Sequence, residues 1–143
     1  MLKLLFVSFV LLHALIHLRG FNVSIHHADD SQQDRSISTT LGAFWLLTSL
    51  LFITSTILFI LKSEGWPVIL LIAVALSQIL IISQWSDARP GTIVNIIILC
   101  IAIPAFGNMR FQQRVNKEVT ALLAKQRDRK STRLNYSHRT GSR

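Results

Sequence analysis

A chain of 143 residues, half of them hydrophobic and only 15% charged, is too apolar for an ordinary soluble domain of this size and reads as a membrane protein. The formal net charge of +8 would point to nucleic acid if it covered a folded surface. Ten of the fifteen Lys and Arg lie after residue 109, outside the apolar segments, so the charge reports topology and argues against a nucleic-acid partner. The lone cysteine, Cys100, sits inside an apolar run and excludes an intrachain disulfide.

The first apolar run covers residues 4–20 and carries His13 and His17 four residues apart. Of four such runs it alone holds a histidine well inside, and an ionisable group at membrane depth marks a functional-site hypothesis. Lys3 followed by a short apolar stretch also fits a signal peptide. The histidines at the end of the run and the bulky His26 at position −3 of a cleavage point after Ala28 favour a retained helix. A helix over residues 2–18 reaches about 25 Å, near the lower limit for spanning, with Lys3 and Arg19 free to snorkel.

Residues 20–40 read as a polar loop whose Ser and Thr residues could cap the next helix. His26 and His27 beside Asp29 and Asp30 invite a metal, but adjacent histidines in an acidic loop are ordinarily solvated surface and no second ligand set has a recognisable spacing. Asn22-Val23-Ser24 matches a glycosylation acceptor. Residues 41–61 form the second apolar segment, in which Gly42, Ser49 and Thr56 recur every seven residues as a small-residue packing seam.

The short turn at residues 62–66 makes segments two and three antiparallel neighbours, and Pro67 suits a first helical turn. Trp66 and Trp85 bracket segment three across about 28 Å of helix, close to the ~30 Å hydrocarbon core with an aromatic ring at each interface. Ser77 and Gln84 share one face of it, with Gln78 and Trp85 beside them. Residues 86–91 form a second tight turn, and residues 92–106 are the fourth segment, with Asn95 one turn inside and Pro104 near the far end.

These elements predict an all-α membrane protein, a four-helix antiparallel transmembrane bundle over residues 1–109. Lys3, Lys62, Arg110, Arg114 and Lys117 fall on one side. Arg19, Arg35 and Arg89 lie with Asp29, Asp30, Asp34 and Asp87 on the other, so the positive-inside rule puts both termini in the cytoplasm. His13, His17, Gln78, Gln84, Asp87 and Asn95 then share the outer half of the bundle. The plain reading is interhelical hydrogen bonding, at about 0.6 kcal/mol per bond. The sharper reading is an outer-leaflet site built on His13 and His17, with Gln78, Gln84 and Asn95, for a metal, quinone or lipid head group.

Several chemistries are disfavoured by the residues. His13-Ala-Leu-Ile-His17 lacks the Glu that a zinc-protease helix carries after its first His, so nothing would activate a metal-bound water. No other segment offers an intramembrane His or Met as the opposite axial ligand of a haem. The two halves show no repeat and no broken helix at mid-membrane of the transporter kind. No phosphate loop, Ser-His-Asp set or paired intramembrane carboxylate is present.

Residues 12–21, Leu-His-Ala-Leu-Ile-His-Leu-Arg-Gly-Phe, with Leu-Ser-Gln-Ile-Leu-Ile at 76–81 and Trp-Ser-Asp-Ala-Arg-Pro-Gly-Thr-Ile-Val-Asn at 85–95, resemble the membrane segment of small uncharacterised bacterial proteins. In some of these, similar helices precede a soluble domain of unknown function. The resemblance covers about residues 1–125 and implies a bacterial inner-membrane location, with no activity attached. It makes residues 110–129, with Phe111, Val115, Val119 and Leu122 on one stripe, look like a basic amphipathic connector to a further domain. Residues 130–143 resemble a peptide that arises when sequencing-adaptor DNA is translated in frame, and their polar, basic composition predicts disorder. The expected role is a membrane anchor or scaffold module, with an enzyme or a cofactor-binding accessory built on His13 and His17 as the alternative.

Overall fold

The computed structural model describes residues 1–26 and 39–140. His27, Asp29, Asp30 and Asp34 of the expected acidic loop lie outside the described residues, as do the side chains of His26 and Asp87. The elements are α1 (Leu2–His26), α2 (Thr39–Ile60), α3 (Trp66–Ser83), the single turn α4 (Trp85–Ala88) and α5 (Pro90–Thr140). Four stretches are long and apolar enough to cross a membrane: Leu2–Ser24, Thr40–Ile60, Trp66–Ser83 and Pro90–Lys130. The protein is all-helical among the described residues, a four-helix antiparallel transmembrane bundle.

The first compact unit, Met1–Phe106, holds the bundle. Its core is Val10 and Ala14 of α1, Phe52 of α2, Leu70, Ala73 and Val74 of α3, and Ile98 and Ala102 of α5. Its polarity is the reverse of a soluble protein's. His13, His17, Thr48, Ser49, Ser77 and Asn95 are buried, while Leu12, Ile16, Leu50, Ile79, Ile82 and Ile93 face outward. An apolar exterior this extensive has no place in water, and hydrocarbon demands that polar groups be matched inside.

α1 runs eight residues beyond the helix over residues 2–18 that the sequence indicates. Gly20 and Gly42 are the reason. A Cβ on Gly20 would come within 2.6 Å of the Trp45 ring, and one on Gly42 would collide with the Ser24 hydroxyl and lie 2.6 Å from Ser24 Cβ. The small residues let α1 and α2 close on each other, and this contact keeps the segment after Arg19 helical where polarity alone reads as loop. Ser24 donates to the Phe21 carbonyl at 2.7 Å and is buried. Asn22-Val23-Ser24 is thus helical and partly buried, unlike the exposed loop a glycosylation acceptor requires. The candidate span of 23 residues makes about 34 Å, a full crossing rather than a short one.

The expected seam on α2 faces α1: Ser49 donates across to the Ala14 carbonyl at 2.9 Å, whereas Thr56 returns its proton to Phe52 on its own helix at 2.8 Å. α2 ends with Lys62 at φ 56°, the left-handed region, and Ser63 N–H bonds the Leu58 carbonyl at 3.0 Å while Lys62 N–H bonds Phe59 at 3.1 Å. This is the helix-ending motif that ordinarily uses glycine. Lys62→Gly should therefore raise stability by about 0.5 kcal/mol, the relieved left-handed strain outweighing the entropy of glycine. Thermal unfolding in detergent checks it, and Lys62→Ala is expected to give no gain.

Trp66 joins Phe6 and Phe59 in an edge-to-face cluster, with centroids 4.9 Å (Phe59–Trp66), 5.2 Å (Phe6–Phe59) and 6.0 Å (Phe6–Trp66) apart, so it ties three helices together. Trp85 lies half exposed at the opposite end. The connection at residues 84–90 is more helical than the tight turn its Asp, Pro and Gly signal. α3 stops at Gln84, which leaves helical geometry at φ −121°, and a single turn leads to Pro90, where proline's fixed φ starts α5.

The second unit, Gly107–Arg143, is described to Thr140 and is the later part of α5. Where disorder was expected after Lys130, helix continues, since no Gly or Pro interrupts residues 108–140. Phe111, Val119 and Leu122 of the apolar stripe are exposed and Val115 is half-buried.

Candidate functional site

His13 and His17 lie one turn apart on the face of α1 that packs inward, 2% and 1% exposed. Residue 13 is the midpoint of the candidate span Leu2–Ser24, so the pair sits nearer the middle of the membrane than a helix ending at residue 18 implies. α3 brings Ser77 and Gln78 to them, and α5 brings Asn95 five residues after its start.

The bonds form one connected set. His13 Nε2 is 3.0 Å from Asn95 Oδ1, 3.4 Å from Ser77 Oγ and 3.3 Å from His17 Nε2. His17 Nε2 is 2.9 Å from Ser77 Oγ. Asn95 Nδ2 donates to Ser77 Oγ at 3.0 Å and to Gln78 Oε1 at 3.1 Å, and Gln78 Nε2 donates to Thr92 Oγ1 at 3.2 Å. An amide oxygen only accepts, so His13 carries its proton on Nε2 and leaves Nδ1 bare. Ser77 donates its single proton either to Asn95 Oδ1, 3.1 Å away, or to His17 Nε2.

Rings frame the pair. Phe52 lies edge-on to His13 at 5.0 Å and stacks on His17 at 5.6 Å, while Trp45 lies 4.9 Å from His17. Among the described residues, three buried polar side-chain atoms have no hydrogen-bond partner: His13 Nδ1, His17 Nδ1 and Trp45 Nε1.

Of the site residues read from sequence, His13, His17, Gln78 and Asn95 come together. Gln84 does not join them: it ends α3, its backbone N–H bonding Leu80, and none of the cluster's bonds reaches its side chain. Seven residues from Ser77 keeps the face but adds about 10 Å along the helix, too far for contact. Ser77 is the hub that the sequence reading left out of the site. Its signal was present, a serine one residue before Gln78 in an apolar helix, but a lone small hydroxyl is common in such helices.

The donor set suits hydrogen bonding better than a cation. Among the described residues no three His, Cys, Asp or Glu side chains converge. The groups at His13 and His17 are all neutral, so a divalent ion there would stay uncompensated in a low-dielectric interior. Nor does either Nδ1 have the acceptor that normally orients a metal-bound imidazole. No protein family, curated protein or solved structure matches this chain.

Proposed function

We propose that the chain is an integral membrane anchor or scaffold module of a bacterial cytoplasmic membrane, with both termini on the cytoplasmic side. One observation carries the reading: polar side chains of α1, α3 and α5 hydrogen-bond one another inside while apolar ones face outward. Such an arrangement holds helices in a fixed register in lipid. The lipid bilayer is then the principal partner, and the basic helical segment over residues 110–129 is a connector to a soluble domain that the native reading frame continues into. Residues 130–143 are proposed to be foreign to the native protein. Without them the formal charge falls to +4, since the segment holds four Lys and Arg and no acid, yet Arg110, Arg114, Lys117, Lys125 and Arg127 still mark the cytoplasmic side.

Two measurements test this. Re-sequencing the source locus should show divergence near residue 130 and a continuing frame, whereas a frame that truly ends at Arg143 would contradict the proposed continuation. A fluorescent protein fused after residue 129 should stay with the membranes through an alkaline carbonate wash. Release into the supernatant would contradict the anchor.

A further inference from the structure

Beside the histidine pair lies a pocket of about 240 Å³, bounded by His13, His17, Trp45, Ile81, Gly91 and Val94. Its size is roughly that of eight water molecules at ~30 Å³ each. Its walls are aliphatic and aromatic. Gly91 makes the room. A Cβ there would come within 2.8 Å of Ile81 Cδ1 and 4.0 Å of His13 Cε1, so the Cε1 corner of the imidazole, between its two nitrogens, lies beside this glycine. The three buried polar atoms without partners belong to residues that line this one pocket.

Their chemistry is specific. His13 Nδ1 is an acceptor, because its Nε2 proton is committed to Asn95. Trp45 Nε1–H is a donor, and His17 Nδ1 is one or the other according to where Ser77 sends its proton. Among the described residues no charged side chain borders the pocket, which disfavours an ion. A complementary occupant is neutral, dissolves in the membrane, and carries oxygen that both donates and accepts on a body of one ring. We propose that this pocket binds the single-ring head of a quinol, a hydroxyl donating to His13 Nδ1 and an oxygen accepting from Trp45 Nε1–H. This goes beyond an anchoring role and stands independently of it, since a pure anchor leaves three polar atoms unmatched at membrane depth.

The test is titration of the purified full chain in anaerobic dodecyl maltoside with decylubiquinol, with decanol as the matching plain alcohol. One decylubiquinol should bind per chain, saturably, and decanol at least tenfold more weakly. Trp45→Phe keeps the ring and loses the donor, and should weaken binding about tenfold, the effect of one buried hydrogen bond. Gly91→Ala narrows the pocket against the movable end of Ile81, should leave the fold intact by circular dichroism, and should weaken binding more than Trp45→Phe. Equal binding of the two probes, no saturable binding to the folded protein, or binding indifferent to both substitutions would each overturn the proposal.

Discussion

Asn95→Ala should lower the stability of the bundle in detergent by about 2 kcal/mol. The substitution removes the acceptor of His13 Nε2 and the donor to Ser77 and Gln78 together, in a layer where water is excluded. A polar atom stranded in such a place costs about 1–3 kcal/mol, more than the ~0.6 kcal/mol of an average membrane hydrogen bond whose partners can find others. The control is built into the fold: Gln84→Ala, on the same α3 face but outside the cluster, should change stability by less than about 0.5 kcal/mol. Chemical unfolding followed by circular dichroism in mixed micelles measures both. If the two substitutions cost the same, the cluster does not hold the helices.

An effect of similar or greater size is expected at the α1–α2 crossing. Gly42→Ala puts a methyl group against Ser24 Cβ and Oγ, and Ser24 Cβ, fixed to the backbone, cannot swing aside. The helices must separate, and overpacking of this kind typically costs about 1–3 kcal/mol. Because α1 carries both histidines, part of the polar cluster should loosen with it. Ser24→Gly on the Gly42→Ala background returns the space. The double variant should be more stable than Gly42→Ala alone despite a second glycine-type penalty of about 1 kcal/mol in α1, and a double-mutant cycle should give a coupling of at least about 1 kcal/mol. Strict additivity in that cycle would show that the two residues do not touch.

The helices were legible because hydrocarbon imposes a simple demand: some 20 apolar residues per crossing, with turns marked by Gly, Pro and charge. Three details were not legible. The end of α1 is set by Gly20 and Gly42 closing on Trp45 and Ser24, a tertiary contact between residues that read as loop or as packing seam when taken singly. Gln84 shares a helical face with Ser77, but whether the helix remains regular as far as residue 84 depends on the connection to Pro90, which the pattern does not encode. Ser77 gains its importance from lying between two histidines and an asparagine on other helices, information held in packing. His13, His17 and Asn95 could be grouped from sequence because alternating direction of the helices puts the late part of one beside the early part of another.

Reporter fusions at four positions test the central claim, a four-span bundle with cytoplasmic termini, most directly. Alkaline phosphatase should be active after Ile25 and Ala88 and inactive after Ser63 and Thr120, with green fluorescent protein giving the opposite pattern. Phosphatase activity after Ser63 would contradict the orientation, and finding Ile25 on the same side as Ser63 would remove α1, and with it His13 and His17, from the bundle.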